Sequence, residues 1–162
     1  MDDVSEMIQL IRGNYACISI ATHEEFEALD VVRRAANRLE YKMHIWSAGM
    51  GVRDGLHPAI AGESKLKAPE AGLKAFSMGA TRTIYVMLDL VPHLSSPMTL
   101  RALREAIHRI ILNHSVLVLI DSEDKLPDVV KSYVRTFELS LPTELELDTL
   151  IRSTLREIHN MT

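Results

Sequence analysis

Two places in the sequence carry acids where chemistry could be done. The apolar run TIYVMLD closes on Asp89, and the run YACISIA is followed by Thr22, His23, Glu24 and Glu25. An acid at the end of a buried strand is suited to hold magnesium, but hydrolysis of a phosphate then needs a second group to activate water. The residue after Asp89 is Leu90, which can neither polarise water nor accept a proton. The segment after the first run lies where many nucleotide-binding α/β domains carry a phosphate loop. Such a loop needs glycines, so that backbone N–H groups turn inward, and a lysine that reaches the terminal phosphates. Residues 22–25 supply neither, and their two carboxylates repel a polyphosphate. Thr22 and Glu25 have the spacing of a capping box instead, which would satisfy the free N–H groups of a helix start. Asp89 therefore reads as the polar end of a strand, or at most as a remnant metal ligand. No catalytic residue is assigned.

The other polar groups are scattered. GMGVRDG, residues 49–55, contains GxG without the spacing of a dinucleotide fingerprint, and it leads into LHP rather than a helix. It reads as a loop whose Arg53, Asp54 and His57 are candidates for contact with a partner. The seven histidines and the single Cys17 make no HxxxH or CxxC spacing, so no metal site is expected. No serine sits on a nucleophile elbow. Arg101, Arg104, His108 and Arg109 fall on one face of a helix with Glu105 among them, a solvated face or a docking surface for another protein. Arg135, just before the last strand expected, is a further candidate contact.

These residues are carried by alternating elements. Val4, Met7, Ile8 and Ile11 share a face of a helix over residues 3–12, which Gly13 and Asn14 end. YACISIA, KMHIWS, TIYVMLD and SVLVLID are short apolar runs, suited to strands covered on both faces. TFELSL is expected as a fifth strand. Phe26, Leu29, Val32, Ala36 and Leu39 recur at helical spacing after the first run. Residues 98–112 repeat that pattern, and residues 127–133 suggest a helical turn. Six of the seven glycines lie between residues 49 and 80, read as a long loop to Lys67 followed by a short helix from Pro69. Pro142 and Thr143 open a last helix, with Thr143 and Glu146 as a second capping box and a stripe of Leu147, Leu150, Ile151, Leu155 and Ile158. Strands alternating with helices imply a three-layer αβα domain around a five-stranded, mainly parallel sheet.

The chain of 162 residues fits one such domain. Its net charge of −4 gives no bulk attraction to nucleic acid or anionic membrane, and an aromatic content of 5% offers little for base stacking. No apolar run approaches the ~18 residues that cross a bilayer. The acidic start MDDVSEMIQL differs from the basic start of a signal peptide, and the lone cysteine argues against a disulfide framework. A cytoplasmic protein is expected.

The order of elements resembles a AAA-type ATPase core. IYVMLDL resembles a Walker B strand, VLVLIDSE stands where such cores carry a sensor strand, and KLPDVVKSYVRTFELSLPTELELDTLI has the cadence that closes the large AAA subdomain. More narrowly, LIRGNYACISIATHEEFEAL, HIWS and LPTELELDTLI resemble the N-terminal part of the two-part AAA ATPases first noticed as a conserved chloroplast reading frame, with cyanobacterial and other bacterial relatives. The resemblance implies a P-loop NTPase-like fold without a phosphate loop, in a degenerate, non-catalytic domain. Working Walker motifs, with ATP and magnesium, would belong to a linked domain, and this chain itself would need no cofactor. Residues 143–159 would lead toward a lid beyond this segment, so the chain can be a fragment of a longer ATPase. Its work would be assembly, partner recognition or regulation of the active domain, with a homo-oligomer among the arrangements implied. Two alternatives stay open. One is a receiver-like phospho-accepting domain, which Glu24, Glu25, Asp89 and Ser122 imitate although no lysine follows the fifth strand. The other is weak ATP binding completed by a partner.

Overall fold

The computed structural model describes residues 1–57, 62–140 and 144–160. The strands are β1 Cys17–Ala21, β2 Lys42–Ser47, β3 Gly51–Asp54, β4 Thr83–Leu88, β5 Val116–Asp121 and β6 Val134–Thr136. They form one sheet in the order β3-β2-β4-β5-β1-β6. Every neighbouring pair is parallel except β2 with β3. The helices are α1 Asp3–Arg12, α2 Glu25–Leu39, α3 Pro69–Ser77, α4 Pro97–Leu112, the single turn α5 Asp128–Lys131, and α6 Glu144–Asn160.

Continuous apolar runs became the central strands because both faces of the sheet are covered. β4 and β5 are buried along their whole length. Successive side chains alternate between two cores. Ile18, Ile84, Val86 and Val118 pack with α1 and α2. Cys17, Tyr85, Met87 and Leu117 pack with α3 and α4. This is the three-layer αβα arrangement expected from the sequence.

Several expectations are corrected. The sheet has six strands, because residues 51–54, read as loop, pair antiparallel with β2. Gly51 makes this hairpin: its φ is +70°, and a Cβ there would lie 2.3 Å from Ser64 Oγ, which accepts from the Val52 N–H at 2.9 Å. The last strand is residues 134–136 rather than TFELSL; Phe137 then turns inward, its N–H donating to the Ser19 carbonyl. Phe26, expected in the buried stripe of α2, is 86% exposed, because the first turn of α2 overhangs the end of the sheet. The stripe itself is carried by Ala28, Leu29, Val32, Ala35 and Ala36. The capping box expected of Thr143 and Glu146 lies outside the described residues. The stripe of α6 is not buried: Leu150, Ile151, Leu155 and Ile158 are each more than half exposed.

Candidate functional site

The carboxyl ends of β1, β4 and β5 meet at one edge of the sheet, where α/β domains place ligands. The parallel register sets Ala21 beside Asp121 and Leu88 beside Ile120, so Thr22, Asp89 and Asp121 emerge together. The Thr22 N–H donates to the Asp121 carbonyl at 2.8 Å, and the Asp89 N–H donates to the Ile120 carbonyl at 3.0 Å. Asp89, Asp121 and Ser122 border two adjoining depressions. One, of about 360 Å³, opens toward Thr22, Glu24 and Phe26. The other, of about 440 Å³, opens toward Val91, Leu94 and Lys125.

The junction from β1 to α2 is not built as the sequence suggested. Glu24 is the N-cap, and its side chain caps nothing. Thr22 lies one residue too early: its Oγ1 accepts from the Glu24 N–H at 3.0 Å, a local turn that lifts the chain off the sheet. No Thr22–Glu25 capping box forms, so side-chain capping does not account for the first amides of α2. What opposes a phosphate here is charge. Glu24, Glu25, Asp89 and Asp121 line one depression, and no lysine or arginine lines it with them.

Asp89 is exposed, with φ +56°, a left-handed conformation that an aspartate tolerates better than most residues. The turn drops Leu90 straight into the core, where it is fully buried beside Leu94 and Leu103. Position 90 therefore faces the interior, away from Asp89.

Asp121 was not singled out from the sequence as a site residue. It is 4% exposed. Its Oδ1 accepts from the Val91 N–H at 3.0 Å, while its Oδ2 is buried with no hydrogen-bond partner. Burial pushes the carboxyl up to about 6; the Asp89 charge adds to this and the Val91 hydrogen bond opposes it. The available signal was an acid closing VLVLID, the same ending as YVMLD. Lys125, on the far side, is paired with Glu123 at 2.7 Å. Among the described residues no three His, Cys, Asp or Glu converge as a metal set. Among the described residues that line them, one depression holds acids with no lysine or arginine, and Lys125 of the other is paired with Glu123.

The other candidate residues are not brought together. Arg53 and Asp54 lie on edge strand β3; Asp54 accepts from the Leu56 N–H at 2.8 Å and stands 3.5 Å from His57 Nδ1. Arg101 and Arg104 are on α4, Arg101 bonded to Glu105 at 3.1 Å and Arg104 with a buried, unpartnered Nε. Arg135, on the opposite edge strand β6, stacks over the Tyr15 ring at 5.4 Å, which gives it a structural role. None of them lines either depression bordered by Asp89 and Asp121.

Comparison with known proteins agrees with this architecture. Residues 4–139 match the family model described as SpoVK-like AAA ATPase, N-terminal domain. No curated protein matches the chain. Among solved structures, a DNA replication initiation factor superposes with a TM-score of 0.58 at 15% identity. That match covers 96% of this chain and 49% of the other, so the chain spans about half the length of that relative. At this identity the likeness establishes the fold alone.

Proposed function

Because the chain belongs to the family of SpoVK-like AAA ATPase N-terminal domains, we propose that it is a non-catalytic AAA-like domain, acting in assembly, partner recognition or regulation of an ATPase domain elsewhere in the protein. The observation that carries this reading is the acidic edge of the sheet. Glu24 and Glu25 open α2 where phosphate would rest, and Leu90 occupies the core where a water-activating group would be needed. ATP and magnesium then belong to a linked domain. The resemblance to the two-part AAA ATPases supports this. A soluble, cytoplasmic setting is part of the same proposal; among the described residues no helix is long and apolar enough to cross a membrane.

The test is thermal denaturation with and without millimolar magnesium-ATP. A ligand at a hundredfold excess over Kd stabilises by about 2.7 kcal/mol, so binding of useful affinity would raise the melting temperature by several degrees. No rise is expected. A rise that Asp89→Ala removes, or ATP turnover abolished by that change, would overturn the proposal. The receiver alternative has two acids side by side, Asp89 and Asp121, but the residues after β6 are Phe137, Glu138, Leu139 and Ser140, with no lysine to meet a phosphoryl group. Incubation with acetyl phosphate and magnesium is expected to leave the mass of the chain unchanged.

A further inference from the structure

The edge of the sheet that repels phosphate is suited to a cation instead. Its smaller depression, about 360 Å³, is lined by His23, Glu24, Glu25, Asp89 and Asp121, with Phe26 beside them. None of the chain's 18 lysines and arginines lines it. The remaining residues, 58–61, 141–147 and 161–162, include no lysine or arginine. Lys125, in the adjoining depression, is held by Glu123 at 2.7 Å. His23 is the other basic group at this edge, and it stands within electrostatic reach of Glu123. These 162 residues therefore bring no lysine or arginine to the carboxylates of Glu24, Glu25, Asp89 and Asp121.

Two further observations point to a ligand. Asp121 is 4% exposed and lines both depressions. Its Oδ1 is taken by the Val91 N–H, and its Oδ2 is buried without a partner. A carboxylate oxygen kept in that state is costly. The second observation is Phe26, whose ring stands in solvent although it borders the acids. The face of an aromatic ring attracts a cation, and carboxylates around it add to that attraction.

The kind of cation follows from the same groups. A calcium or magnesium ion takes six or more oxygens, and among the described residues no three His, Cys, Asp or Glu converge. An ammonium group is compact and strongly hydrated, so it gains less from an aromatic face. A guanidinium is flat and weakly hydrated; it stacks on a ring and presents a fork of donors to carboxylates. Val91, Pro92 and Leu94 wall the adjoining depression and suit the aliphatic stem of such a side chain. We infer that this edge binds an arginine side chain of a partner polypeptide, its guanidinium against Phe26 and the exposed carboxylates of Asp89 and Glu24. The buried Asp121 adds charge from beside Asp89. This rests on the reading above, that the edge takes no magnesium-ATP, and it gives partner recognition a chemistry.

The test is fluorescence anisotropy of the 162-residue chain with a labelled Gly-Arg-Gly-Arg-Gly peptide at about 50 mM salt. The same peptide with citrulline for arginine keeps the shape and loses the charge. The arginine peptide is expected to bind at least about fivefold more tightly. Asp89→Asn, Glu24→Gln and Asp121→Asn should each weaken it about threefold, and Phe26→Ala should do the same through the lost ring face. Asn tolerates the left-handed backbone of position 89, and Glu24 and Phe26 are exposed, so these variants keep the fold. Glu40→Gln removes the same charge at the far end of α2 and should change nothing. Equal binding of the two peptides would overturn the inference, as would an Asp89→Asn or Phe26→Ala chain that binds normally. So would a magnesium-induced rise in melting temperature that Asp89→Asn removes, which would mark a metal site. Self-association of the chain without peptide, lost in Asp89→Asn, would assign the cation to a second copy and also overturn it. Magnesium-ATP decides the earlier reading separately, so the peptide can fail to bind while that reading stands.

Discussion

At the scale of residues, Asp121 is the group whose chemistry the fold changes most. The folded chain keeps its proton up to about pH 6, whereas an unfolded aspartate loses it near 3.8. Between those values the folded state binds more protons, so stability falls as pH rises, and the contribution present below pH 4 is gone above pH 6. The size is on the order of 2 kcal/mol. Asp121→Asn keeps the acceptor for the Val91 N–H and removes the buried charge. It should raise the urea midpoint at pH 7.5, and that advantage should vanish by pH 4; equal effects at both pH values would show that charge is not the cause. Leu90 makes the complementary case. Because its side chain is fully buried, Leu90→Glu does not place a carboxylate beside Asp89 but forces one into the α3–α4 core. We expect a loss of 3 kcal/mol or more, about the cost of burying an unpaired charge, and no ATP turnover by coupled assay. A stable, hydrolysing Leu90→Glu protein would contradict the burial.

At the scale of elements, α3 is held against the sheet at a glycine. A Cβ on Gly72 would lie 2.6 Å from Cδ1 of Trp46, a ring that is fully buried. Gly72→Ala gains about 1 kcal/mol of helix propensity but must displace a packed indole, so a net loss of about 1–2 kcal/mol is expected in urea unfolding. The elements most legible in the sequence share a property with this contact: they are set by burial. YACISIA, TIYVMLD and SVLVLID had too few polar residues for anything but central strands, and their order led to the three layers observed. What was illegible depended on distant partners or on single turns. β3 is fixed by a glycine in the left-handed region and by Ser64, thirteen residues on. Thr22 and Glu25 have capping-box spacing, but the chain spends an extra residue leaving β1 and the helix begins later. Phe26 fits the helical period yet overhangs the sheet. Asp121 stood in plain sight as a strand end; that its Oδ2 is orphaned depends on how the turn after β4 folds over it.

At the scale of the whole molecule, the sheet with its two helical layers and α6 are separable. The match to the family ends at residue 139, and the described part of α6 shows its apolar stripe to solvent. The domain core gains nothing from that stripe, so removing residues 141–162 should leave the urea midpoint unchanged to within about 0.5 kcal/mol, the usual range for surface changes. Ser140 must be kept, because its N–H and hydroxyl tie the end of the chain to Asp3 at the start of α1. Cutting after Phe137 instead should remove this tie and the cover of Leu139 over the α1–α2 core, and lower the midpoint. The shorter cut asks whether the core stands without α6. A protein ending at Ser140 should fold as before and show no shift in melting temperature with magnesium-ATP. If it fails to fold, α6 is part of the core after all.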